Sequence, residues 1–309
     1  MSPKKIRIGT RGSILALKQT EWVVNQLRSI YDVEVEIKII KTKGDKILDA
    51  PLARIGGKGL FVKEIEDALL KEKIDLAVHS LKDIPTILPK GLCLGAITVR
   101  EDPRDAIITK ENIPFKELPK EAIIGTSSLR RQAQLLHFNP NFKIIPLRGN
   151  VDTRLRKLKE QNLDAIILAS AGLKRLGLAD KITEYLPFDI ILPAIGQGAL
   201  GIEIREEKKW LEFVAPLNHT PTALAINAER AFLESLGGGC QVPVAAYAIC
   251  NENKIKITGM ISDTNGKRFF KHTLEGPAKD GKKLGRELAQ ILLKQGGREV
   301  LTEIYGEKR

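Results

Sequence analysis

A strand–turn–helix unit that occurs twice is the feature that most constrains the fold of this chain. In the first unit, Lys5-Ile-Arg-Ile8 predicts a short strand and Gly9-Thr-Arg-Gly-Ser13 a turn, and the apolar residues from Ile14 to Ile30 recur at helical spacing. In the second unit, the strand Ala122-Ile-Ile124 leads through Gly125-Thr-Ser-Ser128 into another predicted helix. The repetition predicts two similar α/β lobes.

Later segments extend this plan to the whole chain of 309 residues. Glu101-Asp-Pro103 and Leu192-Pro-Ala-Ile-Gly-Gln-Gly198 are the predicted crossings between the lobes, and two crossings predict a double hinge with a cleft. After His219-Thr-Pro221, a helix, two alternating strands and a last helix predict a small α+β domain. We expect a first domain at residues 1–98 and 199–218, a second at 103–193 and a third at 221–309.

Apolar runs and cysteines narrow the class of protein. No apolar run approaches the ~20 residues that span a bilayer, and the first residues lead directly into a strand, so a cytoplasmic protein without membrane contact is expected. The three cysteines show no metal-ligand spacing, so no metal is expected. Cys93 and Cys250 lie in apolar strand-like contexts typical of small core residues. Cys240 differs because glycines surround it.

The net charge of +12 predicts an anionic partner. Aromatic residues make up only 5% of the chain, which argues against a surface on which nucleic-acid bases stack. Gly56-Gly-Lys-Gly59 lacks the spacing of a P-loop, and no Gly-x-Gly-x-x-Gly opens a helix near the N-terminus. The anion is therefore expected to carry carboxylates, and solvated faces account for most of the lysines.

Both turns precede a helix, where free backbone N–H groups and Ser or Thr hydroxyls bind anions. Arg11 lies in the first turn, and Arg130 and Arg131 lie just inside the second helix. Ordinary N-capping by Ser13 and Ser128 is the alternative explanation. Two matching turns that both carry arginine favour the anion site.

A second basic string, Leu147-Arg-Gly-Asn-Val-Asp-Thr-Arg154-Leu-Arg156, follows a predicted strand. It places Arg148 at the strand end and Arg154 in the first turns of the next helix, where the guanidinium fork suits carboxylates. A solvated helix face is the alternative explanation, and it fits Arg156 better than Arg148. The segment Lys43–Gly59 is rich in glycine and charge, which predicts a mobile loop or lid.

Two residues are candidates for chemistry. Asp83 follows a buried strand pattern, at the end of the strand where clefts of α/β proteins form. It forms either a surface pair with Lys82 or a carboxylate that stabilises cations and moves protons, with His79 packed or orienting nearby. Cys240 is either a bystander in a tight glycine turn or an uncovered thiol that serves as nucleophile or attachment point.

Short segments spread over nearly the whole chain carry a resemblance to a known family. They are Ile8-Gly-Thr-Arg-Gly-Ser13, Gly56-Gly-Lys-Gly-Leu-Phe61, Val78-His-Ser-Leu-Lys-Asp83, Arg100-Glu-Asp-Pro-Arg-Asp105, Gly125-Thr-Ser-Ser-Leu-Arg-Arg131, Leu147-Arg-Gly-Asn150, Gly172-Leu-Lys-Arg175, Leu192-Pro-Ala-Ile-Gly-Gln-Gly198 and Gly238-Gly-Cys-Gln-Val-Pro243. In this order they resemble the hydroxymethylbilane synthase (porphobilinogen deaminase) family.

The resemblance implies a transferase of tetrapyrrole (haem) biosynthesis that joins four porphobilinogen molecules head to tail with loss of ammonia. The linear hydroxymethylbilane is then released by hydrolysis. A dipyrromethane cofactor, itself made from two substrate units, would be held by a thioether to Cys240, and the chain would grow on it. The implied fold has two lobes like those of periplasmic binding proteins, with double crossings, and a third domain that carries the cysteine. The resemblance also implies a monomer.

The resemblance assigns roles by position in the motifs. Asp83 is the implied catalytic carboxylate, facing pyrrole nitrogens and cationic azafulvene intermediates. The residues implied to hold the cofactor are Lys82, Asp83, Ser128, Arg130 and Arg131. The residues implied to bind substrate and growing chain are Arg11, Ser13, Arg148, Arg154, Arg175 and Gln197. Arg54 and Lys58 are implied for the lid loop, and Arg54 stands where the family often has Lys.

Two other classes of protein remain as alternatives. A two-lobed anion receptor or effector-binding module would share the lobes, since fold alone does not decide function. Such a receptor would not need a third domain with a cysteine in a glycine loop. A nucleic-acid-binding protein rests on charge alone, and no recognised DNA- or RNA-binding motif supports it.

Overall fold

The computed structural model describes residues 3–46, 61–238 and 242–306, which form two five-stranded sheets, a three-stranded sheet and covering helices. The strands are β1 (Lys5–Thr10), β2 (Glu34–Ile39), β3 (Leu76–Ser80), β4 (Leu92–Ile97), β5 (Asp105–Thr109), β6 (Ile123–Gly125), β7 (Lys143–Ile145), β8 (Ala165–Ala169), β9 (Glu184–Tyr185), β10 (Leu200–Arg205), β11 (Val244–Asn251), β12 (Lys254–Ser262) and β13 (Phe269–Pro277). The α-helices are α1 (Ile14–Ile30), α2 (Lys43–Lys46), α3 (Lys63–Leu70), α4 (Leu129–Phe138), α5 (Val151–Glu160), α6 (Ser170–Arg175), α7 (Lys208–Val214), α8 (Thr220–Ser235), α9 (Gly281–Leu292) and α10 (Arg298–Gly306).

The two five-stranded sheets have the same strand plan. The first has the order β2-β1-β3-β10-β4 and the second the order β7-β6-β8-β5-β9. In each sheet the first three strands are parallel, and the fourth runs antiparallel to them. The repeated strand–turn–helix units therefore belong to two similar α/β lobes, as the sequence predicts.

The antiparallel strand of each lobe enters from the other lobe. The chain leaves the first sheet after β4 and enters the second as β5, and it leaves β9 and returns to the first sheet as β10. The segments that connect them, residues 98–104 and 186–199, contain the two predicted crossings. The double crossover and the periplasmic-binding-protein-like class of the lobes are thus confirmed.

Each sheet has its own hydrophobic core. In the first lobe, Ile8, Leu27 and Ile202 are among the buried residues that pack α1 and α7 on the sheet. The second lobe packs apolar side chains on both faces of its sheet. In the third region, α8, α9 and α10 cover β11, β12 and β13, with Phe232 and Leu288 fully buried between them. This confirms the small α+β domain.

Local capping explains where the helices begin. Ser13 Oγ accepts a hydrogen bond from Ala16 N–H at 3.2 Å at the start of α1. Helix α8 begins at Thr220, before the start after Pro221 that the sequence predicts, because His219 caps it and Pro221 stands in its first turn.

Two sequence expectations are met only in part or lie outside the described residues. Cys93 and Cys250 lie on strands, are half-buried and pack against hydrophobic cores, so they stand at the edge of the cores rather than inside them. Of the proposed lid, Lys43–Lys46 forms the short helix α2, whereas residues 47–60, with Arg54 and Lys58, lie outside the described residues.

Candidate active site

A cleft of about 830 Å³ lies between the two five-stranded lobes. The first lobe contributes the turn before α1 and the end of β3, and the second contributes the starts of α4, α5 and α6. Among the described residues, seven basic side chains line it, against three aspartates. These are Arg11, Lys41, Lys82, Arg131, Arg148, Arg154 and Arg175, against Asp45, Asp83 and Asp152. The described wall is therefore strongly cationic, which suits a polyanionic ligand.

The first turn presents Arg11 to the cleft in a fixed position. Arg11 Nε donates to Asp45 Oδ1 at 3.1 Å, and the guanidinium lies over the ring of Phe61 at 4.3 Å from its centre. Burial alone would raise the pKa of Asp45, but its hydrogen bonds from Arg11 and Thr42 hold that pKa below its ordinary value. Ser13 also lines the cleft, and its hydroxyl caps α1.

Asp83 and Lys82 lie at the end of β3, in a single turn of 3-10 helix formed by Leu81–Asp83. Both are half-buried and line the cleft, so Asp83 is not part of an exposed surface pair. Burial lowers the pKa of the Lys82 amine to about 8, and the charge of Asp83 opposes that shift. His79 is buried just before this turn, with Nε2 3.0 Å from Glu203 Oε2.

The two arginines that follow the second turn have different surroundings. Arg131 lines the cleft and donates to Asp105 Oδ1 at 2.7 Å and to the carbonyl of Ile167. Arg130 is buried away from the cleft lining, where it donates to Asp105 Oδ2 at 2.7 Å and to the carbonyl of Leu192. Ser128 caps α4 and does not line the cleft. Burial would raise the pKa of Asp105, but the two guanidinium groups hold it well below its ordinary value.

The remaining predicted arginines converge on the same cleft from the second lobe. Arg154 Nε donates to the carbonyl of Gly149 at 2.8 Å, and an Arg175 amino group donates to the carbonyl of Gly198 at 2.7 Å. Burial, together with the charges of Arg131 and Arg148, lowers the pKa of Arg154 to about 10, which still leaves the guanidinium a cation at neutral pH.

Gln197, at the second crossing, lies against the cleft with one polar atom unsatisfied. Its amide nitrogen donates to Asp105 Oδ1 at 3.0 Å and to the carbonyl of Pro103 at 2.8 Å. Its Oε1 atom is buried and has no hydrogen-bond partner within the described ranges. Buried polar atoms normally find a partner, so this oxygen is available to a donor on a ligand.

Some site residues escaped the sequence analysis, and some of its predictions cannot be located. Asp105 and Asp45 orient cleft arginines, yet the sequence assigned them no role, although Asp105 ends a motif that carries the family resemblance. Cys240, the predicted attachment point, lies outside the described residues.

Two classes of site are not found within the described ranges. No cluster of metal-ligating side chains is present there, and no described helix is both long and apolar enough to cross a membrane.

The fold and the cleft define a two-lobed α/β protein with a strongly cationic cleft between its lobes. Residues 6–212 match the model of the family described as Porphobilinogen deaminase, dipyromethane cofactor binding domain, and residues 223–294 match Porphobilinogen deaminase, C-terminal domain. The chain belongs to the porphobilinogen deaminase family.

Relatives with similar sequences carry the same family name. Porphobilinogen deaminase of Geotalea uraniireducens is 56% identical over 310 residues, covering 99% of this chain and 96% of that protein. That of Syntrophotalea carbinolica is 54% identical, covering 98% and 97%. Among solved structures, immunogenic lipoprotein A from Vibrio vulnificus superposes on 72% of this chain and 99% of its own, at 14% identity and a TM-score of 0.42.

Family membership decides among the three classes that the sequence left open. The chain is a transferase that makes hydroxymethylbilane for tetrapyrrole biosynthesis, and its cofactor is dipyrromethane. The receptor and nucleic-acid hypotheses are therefore set aside.

Proposed function

We propose that this chain carries out its reaction in the interlobe cleft, with Asp83 as the catalytic carboxylate and the cleft arginines as carboxylate-binding groups. The observation that supports the proposal is that Asp83 and Lys82 lie among arginines from both lobes. Each pyrrole unit of the substrate porphobilinogen brings two carboxylates, so a growing chain accumulates negative charge. Guanidinium groups fixed in the cleft wall offset that charge.

The described residues fit a dipyrromethane with its acetate and propionate groups. Lys82 makes no hydrogen bond to another described residue, and Gln197 Oε1 is a buried acceptor that a pyrrole N–H would satisfy. Lys82 and Arg131 would hold the carboxylates, Arg148 would bind the incoming substrate, and Cys240 would attach the cofactor. Ser128 and Arg130 would support the same group through α4. When bound, the cofactor supplies the pyrrole end to which substrate units are added.

Asp83 is proposed to act on charge and protons. As the substrate C–N bond to ammonia breaks, positive charge develops on the pyrrole, and the Asp83 carboxylate stabilises it in a half-buried site. The same carboxylate oxygen can accept the proton released when the new carbon–carbon bond is complete. Proton transfer by a positioned group typically contributes about 10²–10⁴-fold to the rate.

The arginines are proposed to orient the incoming unit and the growing chain. Arg11, Arg154 and Arg175 are each tethered by a carboxylate or a backbone carbonyl, so little side-chain entropy remains to be lost on binding. Ser13 would add a hydroxyl contact beside Arg11. Arg54 and Lys58 in the loop would help to screen the cleft from water.

We further propose a monomer in the cytoplasm that binds neither nucleic acid nor membranes, divided into domains at 1–98 with 199–218, 103–193 and 221–309. Among the described cysteines, Cys93 and Cys250 are free thiols, which suits a reducing compartment. Light scattering of the purified enzyme checks the monomer, for which we expect the chain mass of 34.2 kDa plus the cofactor.

Asp83→Asn tests the catalytic proposal. The amide keeps the size of the side chain but neither carries negative charge nor accepts a proton, so we expect kcat to fall by about 10²–10⁴-fold with a small change in KM. Turnover of porphobilinogen by the holoenzyme is measured, and intact mass reports the cofactor.

Asp180→Asn is the matched control, because Asp180 is an exposed aspartate of the second lobe. It should retain wild-type kinetics. A kcat of Asp83→Asn within about threefold of wild type would remove Asp83 from the catalytic role.

A further inference from the structure

Arg230, on helix α8, grips the main chain that follows Asp83. Its guanidinium donates to three successive carbonyls: Ile84 at 3.2 Å, Pro85 at 2.7 Å and Thr86 at 3.1 Å. No carboxylate within the described ranges lies at ion-pair distance from it. An arginine whose N–H groups donate to consecutive backbone oxygens fixes that segment of the chain in place.

The segment that Arg230 holds also makes apolar contacts, because Ile84 is buried in a cluster with Leu81 and with Ile226 of α8. The 3-10 turn of Leu81–Asp83 is anchored at its start, where Leu81 N–H donates to the Ala199 carbonyl at 3.1 Å. After Ile84 the chain leaves regular structure until β4 begins at Leu92, and Pro85 has no N–H to donate. The Asp83 turn is therefore fixed from the crossing segment on one side and from Arg230 on the other.

Helix α8 is itself firmly placed. The neighbouring Glu229 accepts from the backbone N–H of Gly196 and of Ala248, each at 2.8 Å, and so ties the helix to the second crossing and to β11. Through Arg230, the chain that follows Asp83 is therefore bonded to a helix that is itself fixed to the second crossing and to β11. The guanidinium is half-buried, so its hydrogen bonds are not readily exchanged for water.

We propose that Arg230 is a positioning residue for the reaction, which holds the Asp83 carboxylate at its working place in the cleft through the carbonyls of residues 84–86. The inference rests on the catalytic role proposed for Asp83. A misplacement of about 1 Å at a reacting group can cost about 10²-fold in rate. Loss of the hydrogen bonds from Arg230 to these carbonyls should therefore slow the chemical step rather than weaken substrate binding.

Arg230→Gln removes the fork, and Arg230→Lys keeps the charge but not the planar fork that spans three carbonyls. We expect kcat for porphobilinogen to fall about 10- to 10²-fold in Arg230→Gln, and less in Arg230→Lys, with KM changed less than about threefold. Cofactor content by intact mass should remain at the wild-type level. Arg286→Gln, an exposed position on α9, is the control and should leave both constants unchanged.

A double-mutant cycle with Asp83→Glu separates positioning from a general structural effect. If Arg230 acts through Asp83, Arg230→Gln should lower kcat by less than about threefold once Asp83 is already displaced by the longer side chain. Independent effects that multiply would overturn the inference, as would a wild-type kcat in Arg230→Gln. Near-normal turnover of Asp83→Glu and Asp83→Asn would instead refute the proposed role of Asp83. If Arg230→Gln does not fold, Arg230→Lys carries the same cycle.

Discussion

Asp105 determines what two neighbouring arginines can do. Its two carboxylate oxygens accept hydrogen bonds from Arg130, Arg131 and Gln197, and it is fully buried. Because Arg130 also donates to the Leu192 carbonyl, its guanidinium is directed away from the cleft, whereas Arg131 lines it. The sequence identifies two adjacent arginines but does not show which of them faces the cleft. The carboxylate that binds both of them lies 25 residues before Arg130.

The attachment of the cofactor to Cys240 can be tested through the mass of the protein. We predict that the intact mass exceeds that of the unmodified chain by one dipyrromethane and that Cys240→Ser abolishes the excess, because a serine hydroxyl is a far weaker nucleophile than a thiolate. Denaturing mass spectrometry measures the difference. Cys93→Ser and Cys250→Ser serve as controls and should keep the excess. Active enzyme of unmodified mass would contradict the attachment.

Helix α3 contributes to a buried cluster of two glutamates and a histidine. Glu66 of α3 faces the first sheet, where His79 of β3 and Glu203 of β10 lie on one face because their strands pair antiparallel with Gly201 opposite His79. Burial, with the charge of Glu203 acting in the same direction and that of His79 opposing it, raises the pKa of Glu66 to about 7. Asp67 and Lys63 of the same helix act in opposite directions on it.

This cluster predicts a pH dependence of stability. Between the ordinary value near 4.5 and about 7, the folded state holds a proton on Glu66 that the unfolded state releases, so its stabilising contribution is lost as pH rises through about 7. Glu66→Gln mimics the protonated side chain. We take the free energy of unfolding of Glu66→Gln minus that of wild type. We expect this difference to increase by about 2 kcal/mol between pH 5 and pH 8.

Denaturant unfolding at several pH values between 5 and 8 measures this difference. Glu212→Gln, on the exposed side of α7, is the control and should follow the wild-type curve. Parallel curves for wild type and Glu66→Gln would show that Glu66 is ionised throughout the range.

Individual elements were more predictable than their ends. Helix α1 spans Ile14–Ile30 as the apolar spacing predicts, because Ser13 caps it and its buried residues recur on one face. Strand β3 reaches Ser80 because it pairs with β10 as far as Leu200 opposite Ser80, and that partner strand lies more than a hundred residues away. Local periodicity reports the face that is buried but not the length of a non-local pairing.

The exchange of strands between the two lobes determines where the cleft forms. The repeated motif predicts two lobes, and the crossings were located near Glu101 and Leu192. Which strand stands fourth in each sheet is not visible in the sequence, because β10 and β5 pair with strands distant along the chain. Since both crossings run behind the cleft, residues such as Gln197 serve the hinge and the site at once.

A buried ion pair joins the two crossings to the third domain, and its loss is expected to weaken the whole assembly. Arg100 donates to Glu229 at 2.6 Å and to the carbonyl of Gln197 at 2.8 Å, and Glu229 is fully buried. Arg100→Met should lower the free energy of unfolding by about 3–5 kcal/mol, because it leaves the Glu229 charge buried without its cation. Denaturant unfolding of the holoenzyme measures the change. Arg156→Met removes an exposed pair with Glu160 and should cost less than about 1 kcal/mol. Equal losses in the two variants would mean that the Arg100–Glu229 pair does not hold the domains together.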